Sequence, residues 1–170
     1  AIKLANVVPD FDEKSLRLTE YLTSKNIVVG AGHTKATANQ VFAAQKAGLK
    51  YIIHFLNGPT GHSFKPFDGG GVVEAVLQSD ELYAEQICDG FHVNPAYIRA
   101  VIERKGIDKI MAVTDAIYPA GSNLKKVAMG PIKAQLSDDG QYIYIEGKPN
   151  TLCSSTLTMD KAFENLLNWL

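Results

Sequence analysis

The chain has 170 residues, 46% of them hydrophobic and 21% charged, which is usual for one globular domain over residues 1–170. The formal net charge of −1, without a basic cluster, argues against binding to nucleic acid or to a membrane surface. No apolar run approaches the ~18 residues of a membrane span and no signal-peptide pattern is visible, so we expect a cytoplasmic protein. Cys88 and Cys153 lie outside any CxxC or Cys/His cluster and are expected to be reduced thiols.

Five apolar segments have the pattern of strands. They are predicted within residues 2–8, 27–34, 51–58, 83–93 and 109–115. Helical patterns separate them, and the strands recur about every 25 residues, with one longer interval that holds a glycine-rich loop. This spacing is typical of successive βα units, so we expect an α/β fold with a parallel sheet.

Capping patterns mark the helices between these strands. The expected caps are Asp10 with Glu13, Thr37 with Gln40, and Asn94 ahead of Pro95. A short helix is predicted over residues 72–78. The first helix is expected to turn Leu18, Tyr21 and Leu22 towards the core.

The pattern changes after Asp115. The alternating segment QYIYIEG follows Asp-Asp-Gly and predicts a small β-hairpin inserted after the last strand of the sheet. An amphipathic helix is predicted over about residues 158–169, with residues 154–156 as its capping segment.

One polar side chain stands at the end of each of four predicted strands: His33, His54, His92 and Asp115. Ligands of parallel α/β folds bind at the carboxyl ends of the strands, so these side chains would converge. Any one of them could merely cap a strand or bond to a loop, but the repetition at one structural position favours a site. Two imidazoles suit a divalent metal, which lowers the pKa of a bound water towards about 7, and an aspartate can move the proton.

Other catalytic patterns are absent from the sequence. It contains no SxxK and no GxSxG motif, and no Gly-Lys-Ser/Thr of a P-loop follows Gly69-Gly70-Gly71. We interpret these glycines as a flexible approach to a helix, with an anion at their backbone N–H groups as the alternative.

Five short motifs follow one another along the chain: AGHTKAT, HFLNG, ICDGFHV, AVTDAIYPAG and SSTLTMDKA. In this order and spacing they resemble the N-acetylglucosamine-6-phosphate deacetylase family of the amidohydrolase superfamily, over about residues 2–167. The resemblance implies a metal-dependent (β/α)8 barrel that hydrolyses the acetamido group of an amino sugar phosphate.

The resemblance also implies roles for individual residues. His33 and His54 would bind a divalent metal ion (Zn, Fe or Mn), and Asp115 would act as general base and then as general acid. The residues implied to bind the small-molecule amino sugar substrate are His92, Asn57 and Gly58. We add Lys65 and His62 as candidates for binding an anionic group of the substrate, with an ordinary loop histidine as the alternative for His62.

The chain departs from the family pattern at three points. A full barrel needs ~250 residues, so we expect a partial (β/α)8 barrel of about five parallel strands. For the same reason, the chain lacks the family's upstream Glu-Gly-Pro motif, whose glutamate is a metal ligand. The family's Arg-Glu-Pro-Gly, whose arginine helps to bind phosphate, is also missing; Lys65 would replace it as a point charge, with His62 beside it. Gly58 stands where the family usually has alanine.

Two functions from different classes stay open. The first is a deacetylase of N-acetylglucosamine 6-phosphate or a related N-acetyl amino sugar, with another amidohydrolase acting on an amide or cyclic amide as its variant. The second is a catalytically inactive half-barrel that self-associates through unpaired strand edges. We expect a homo-oligomer, most simply a dimer.

Overall fold

The computed structural model describes residues 2–58, 64–122 and 124–170. The chain folds as two compact units. The first comprises Ala1–Gln86 and Ala100–Met111, and the second comprises Ile87–Arg99 and Ala112–Leu170. The interpretation of residues 1–170 as a single domain stays a prediction.

A five-stranded sheet carries the expected α/β pattern. Its strands are β1 (Leu4–Asn6), β2 (Val28–Ala31), β3 (Leu49–Ile52), β4 (Tyr83–Ile87) and β5 (Ile110–Val113). They are ordered in the sheet as they are in the chain, and the pairs from β1 to β4 are parallel. The fold prediction is confirmed, although β3 is shorter than expected. It ends at Ile52, because His54 has a positive φ of 33° that no strand residue adopts.

One helix follows each of the first four strands. These helices are α1 (Glu13–Ser24), α2 (Ala38–Ala47), α3 (Val72–Gln78) and α4 (Pro95–Lys105). Short 3-10 helices lie at Pro9–Phe11, Phe67–Gly69 and Ile107–Lys109. This alternation places the carboxyl ends of the parallel strands at the same edge of the sheet, where parallel α/β folds bind their ligands.

Two of the predicted helix caps are confirmed. The Thr37 hydroxyl accepts a hydrogen bond from the Gln40 amide at 3.2 Å, and the Gln40 side-chain oxygen accepts one from the Thr37 amide at 2.8 Å. The side-chain oxygen of Asn94 accepts from the Ala96 amide at 2.9 Å. Each bond satisfies a backbone donor that the first turn of a helix leaves without a partner.

The predicted cap of α1 is wrong. Asp12 is the N-cap residue of α1, and the carboxylate of Asp10 accepts instead from Thr34 and from the Lys35 amide. The Asp10–Glu13 spacing fits a capping box, but the Asp10 side chain is directed to a turn 25 residues further along the chain.

The predicted inward face of α1 is also only partly correct. Leu22 packs against the core, but Leu18 and Tyr21 are 47% and 60% exposed. The helix buries Ser15 instead, because the Ser15 hydroxyl donates to the carbonyl of Val8 at 2.7 Å and turns that side of α1 inwards.

The core of the first unit lies between its strands and helices. Its members are small and branched apolar side chains, among them Val29, Ala31, Val41, Leu49, Ile52, Val76 and Leu82. Such side chains allow helices to pack closely on a parallel sheet, so the carboxyl ends of β2 and β3 have rigid support.

The second unit holds a four-stranded antiparallel sheet. Its strands are β6 (Lys126–Met129), β7 (Ile132–Leu136), β8 (Tyr142–Ile145) and β9 (Lys148–Ser155), in chain order. The predicted hairpin is confirmed as β7 and β8, which are antiparallel, and the sheet extends it by one strand on either side.

The last helix, α5 (Met159–Trp169), follows β9. Its N-cap residue is Thr158, so the prediction that residues 154–156 cap it is wrong. Ser154 donates to the carbonyl of Asp115 instead, and the Ser155 hydroxyl accepts from the Leu157 amide. Within the described residues, no helix is long and apolar enough to cross a membrane.

Candidate active site

The structure brings the two predicted metal ligands together. His33 follows β2 and His54 follows β3, and their ring centroids are 4.5 Å apart with the ring planes at 80° to one another. The edge of one imidazole therefore meets the face of the other. His33 is exposed, whereas His54 is only 5% exposed.

Hydrogen bonds fix the orientation of His54. Its Nδ1 lies 2.9 Å from the carbonyl oxygen of Asn57, which can only accept, so Nδ1 carries the proton. The backbone amide of His54 donates to the carboxylate of Glu85 in β4 at 3.2 Å. In the neutral ring with this tautomer, the lone pair is on Nε2, as a metal ligand requires.

Gly58 lies against both imidazoles. A Cβ atom at this position would be 3.6 Å from His33 Nδ1 and 3.7 Å from His54 Cε1. Gly58 also has a φ of 95°, a conformation that favours glycine. The predicted substrate residues Asn57 and Gly58 are therefore direct neighbours of the imidazole pair.

Three of the predicted site residues share an uncommon backbone conformation. His33, His54 and Asp115 have φ values of 54°, 33° and 49°, in a region that residues other than glycine seldom adopt. Such conformations persist where the surroundings over-determine them, and they cluster at functional sites. They are three of the eight non-glycine residues of positive φ in the described part of the chain, and His92 is not one of the eight.

In the second unit, His92 is paired with Asp89. Nδ1 of His92 lies 2.6 Å from the Asp89 carboxylate, and both side chains are almost fully buried. Burial alone would raise the pKa of the Asp89 carboxyl, but hydrogen bonds from the His92 ring and from the amides of Phe91 and His92 lower it overall. The ring is thereby held with Nε2 as its available nitrogen.

Asp115 follows β5 and is exposed. Its carbonyl oxygen accepts from the Ser154 hydroxyl at 2.9 Å and from the Ser155 amide at 3.5 Å. These bonds hold the backbone of Asp115 and leave its carboxylate at the surface.

Lys65 and His62 are the remaining predicted site residues. Lys65 is exposed on the segment that leads to α3, and His62 lies outside the described residues. Within residues 2–58, 64–122 and 124–170, no three side chains of His, Cys, Asp or Glu are grouped to hold a metal ion.

Each unit also has a hollow, and the hollow of the first unit is lined by predicted site residues. In the first unit a hollow of about 20 Å³, roughly the size of one water, is lined by His33, Thr34 and Asn57 among others. In the second unit a hollow of about 400 Å³ lies beside Asp89, within the range of small-molecule sites. Its lining is largely polar and includes Gln141, Thr156, Thr158, Lys161 and Asn165.

Several residues around the site could not be found by sequence reasoning. Asn6, Asp10 and Thr34 hold the turn of His33, and Ser154 holds the backbone of Asp115. Only the Asp89–His92 pair had a local signal, an aspartate three residues before a histidine in a tight turn.

Parallel βα units with an imidazole pair at two neighbouring strand ends are typical of metal-dependent hydrolases built on a (β/α)8 barrel. The comparisons with known proteins are more specific. No family model matches this chain. Its curated relatives include N-acetylglucosamine-6-phosphate deacetylase from Vibrio furnissii, 32% identical over 157 residues. N-acetylgalactosamine-6-phosphate deacetylase from Escherichia coli O157:H7 is 30% identical over 156 residues. The resemblance found in the sequence is thereby confirmed.

Solved structures support the same relationship. N-acetylglucosamine-6-phosphate deacetylase from Thermotoga maritima matches 99% of this chain with a TM-score of 0.84 and 29% identity. The enzyme from Pasteurella multocida matches 98% of the chain, with a TM-score of 0.84 and 27% identity.

The alignments cover most of this chain and less than half of its relatives. They span 92% and 91% of the chain for the Vibrio and Escherichia proteins, but 37% and 39% of those proteins. For the Thermotoga and Pasteurella structures the aligned share is 44% and 41%.

Proposed function

We propose that this chain carries the metal pair and the general base of a deacetylase that acts on N-acetylglucosamine 6-phosphate or a related N-acetyl amino sugar. The reaction adds water across the acetamido C–N bond and gives acetate and the free amine. The observation that carries the proposal is the His33–His54 pair at the ends of β2 and β3. The names of the relatives support it and include both the glucosamine and the galactosamine phosphate.

The residues present fit a divalent metal. Nε2 of His54 is available because Nδ1 donates to Asn57, and the exposed His33 ring lies beside it. Imidazole nitrogens suit Zn²⁺ and Fe²⁺, and the resemblance implies a further glutamate ligand outside this sequence. A bound cation would lower the pKa of a water ligand towards about 7 and polarise the amide carbonyl.

Asp115 is proposed as the proton carrier. Its carboxylate is exposed at the end of β5 and is the group that would accept a proton from the attacking water. The same carboxyl would then return that proton to the nitrogen of the leaving amine, so that the C–N bond breaks with a neutral amine as product.

His92 is proposed to orient the sugar. Its Nδ1 is held by Asp89, which leaves Nε2 as the atom to bond a substrate hydroxyl. Asn57 and Gly58 would lie along the sugar phosphate, and Lys65 with His62 would meet the phosphate charge. Lys65 acts as a point charge without the two-pronged geometry of an arginine.

A second candidate is an inactive half-barrel that pairs with another copy of itself. Its support is β1, one of the two edge strands of the sheet. Leu4 of β1 is 62% exposed, and Ile2, just before the strand, is 71% exposed. A free strand edge can pair with another chain. A cytoplasmic dimer remains our expectation for the protein under either candidate.

Release of acetate tests the proposal. The chain would be incubated with zinc and with N-acetylglucosamine 6-phosphate, N-acetylgalactosamine 6-phosphate or unphosphorylated N-acetylglucosamine. We expect acetate from a phosphorylated sugar and a loss of about 10²–10⁴-fold in Asp115→Asn, because the proton carrier is removed. The control is Asp138→Asn, the same change at another exposed aspartate of the second unit.

Equal activity of the Asp115→Asn variant and the control would exclude Asp115 as general base. No acetate from any substrate would leave the inactive half-barrel as the better candidate.

A further inference from the structure

The turn that carries His33 has a strained backbone. His33 follows β2 with a φ of 54° although it is neither glycine nor asparagine. A conformation of this kind costs about 1–3 kcal/mol and persists only where neighbouring groups enforce it. Something next to the turn must therefore hold it.

The side chains of Asn6 and Asp10, which precede the turn in the chain, supply that restraint. The side-chain oxygen of Asn6 accepts from the Gly32 amide at 3.0 Å. Oδ1 of Asp10 accepts from the Lys35 amide at 2.8 Å, and its Oδ2 accepts from the hydroxyl of Thr34. The bonds lie on both sides of His33 along the chain.

The Thr34 hydroxyl connects Asp10 to the residues after His33. Thr34 is only 2% exposed, and its hydroxyl also accepts from the Ala36 amide at 3.1 Å. Thr34 therefore links the Asp10 carboxylate to the next part of the turn, and both oxygens of that carboxylate accept hydrogen bonds from the turn.

The position of Asp10 is itself fixed. It lies in the 3-10 helix Pro9–Phe11, whose first residue is buried. Ser15 anchors this segment on both sides, since its hydroxyl donates to the Val8 carbonyl at 2.7 Å and accepts from the Phe11 amide at 3.2 Å. A rigid segment therefore presents the carboxylate to the turn.

We propose that Asp10, assisted by Asn6, is a positioning residue that holds the His33 imidazole against His54. The inference rests on the proposed metal-binding role of His33 and His54. Without Asp10, the Thr34 and Lys35 donors lose their acceptor and the turn relaxes towards a negative φ. The His33 imidazole then leaves its place 4.5 Å from the His54 ring, and the two rings would no longer be placed to hold one ion together.

The test uses zinc binding together with a measurement that needs no metal. Titration calorimetry with zinc chloride would compare the wild-type chain with Asp10→Ala, Asp10→Asn and the control Asp12→Asn. Asp12 lies two residues further along the chain, as the N-cap residue of α1, and its carboxylate accepts from the Gln40 side chain and not from the His33 turn. In parallel, NMR of the zinc-free proteins would record the nuclear Overhauser effect between the His33 and His54 ring protons.

We expect zinc affinity to fall about 10- to 100-fold in Asp10→Ala, less in Asp10→Asn, and not in the control. The ring-to-ring Overhauser effect should disappear in Asp10→Ala and persist in Asp12→Asn. If Asp10 served only to stabilise the fold, Asp10→Ala and Asp12→Asn would not differ in zinc affinity or in the Overhauser effect, as long as circular dichroism shows that all variants are folded. Should Asp10→Ala fail to fold, Asp10→Asn, which keeps the side-chain volume, decides.

Wild-type zinc affinity together with a retained Overhauser effect in the Asp10 variants would overturn the inference. A wild-type chain that binds no zinc would refute the proposed metal site instead. The Overhauser effect would then decide the positioning role by itself, supporting it if lost in Asp10→Ala and refuting it if retained.

Discussion

Replacement of Gly30 by alanine should strain the sheet in β2, the strand that leads to His33. Gly30 of β2 is the register partner of Tyr51 in β3, and a Cβ atom at Gly30 would lie 2.3 Å from Cζ and 2.6 Å from Cε1 and Cε2 of that ring. Tyr51 is only 7% exposed, so the ring has little room to withdraw. Gly30 is not among the glycines of positive φ, so the clash with the ring would be the main effect.

The size of the effect follows from the contact distances. Carbon atoms pack at about 3.5–4.0 Å, so the ring would have to move by about 1 Å or more. Overpacking of this kind costs about 1–3 kcal/mol, and the lower entropy of the unfolded alanine chain returns about 0.4–1 kcal/mol. We expect Gly30→Ala to lower the free energy of unfolding by about 1–2 kcal/mol.

Urea unfolding in a double-mutant cycle with Tyr51→Leu measures this directly. Leucine removes the ring atoms that the new methyl group meets, so Gly30→Ala should cost at least about 1 kcal/mol less in that background. If Gly30→Ala lowered the free energy of unfolding equally in both backgrounds, the clash with the Tyr51 ring would be refuted as the cause. Any loss of stability would then come from the backbone.

Three further predictions concern other parts of the molecule. The pKa of Asp89 is lowered from 3.8, so its stabilising effect is complete above that pH and is lost as the pH falls through the folded value. Asp89→Asn should therefore be less stable than wild type at pH 7 but approach it below pH 3.8 in urea unfolding. Burial, and then the charge of Asp89, raise the pKa of the Cys88 thiol to about 11, so iodoacetamide at pH 8 should modify Cys88 only after denaturation, as mass spectrometry would show. Thr37→Ala should cost about 1 kcal/mol in thermal unfolding because it removes the capping box of α2, and an unchanged melting temperature would contradict this.

Much of the fold could be predicted because its signals are local. The capping box at Thr37, the bounds of α3 and the hairpin of β7 and β8 each depend on residues close together in the sequence. The prediction that Asp10 caps α1 is wrong for the opposite reason. The spacing of Asp10 to Glu13 fits a cap, but its partners are Thr34 and Lys35, which only the folded sheet brings near.

The candidate site divides in the same way. His33 and His54 could be proposed from their places after apolar strands and from the resemblance. The geometry that makes them a pair could not, because the turn conformations depend on tertiary contacts. The turn of His33 is held by Asn6 of β1 and by Asp10 of the 3-10 helix after it. The amide of His54 donates to Glu85 in β4.

The central claim is that His33 and His54 bind one metal ion. Its most direct test is elemental analysis of the protein after gel filtration from zinc-containing buffer. The wild-type chain would be compared with His33→Ala, His54→Ala and the double variant, with His62→Ala as a control histidine. We predict about one zinc per chain in the wild type and the control, and none in the double variant. An equal zinc content in the wild type and the double variant would contradict the assignment.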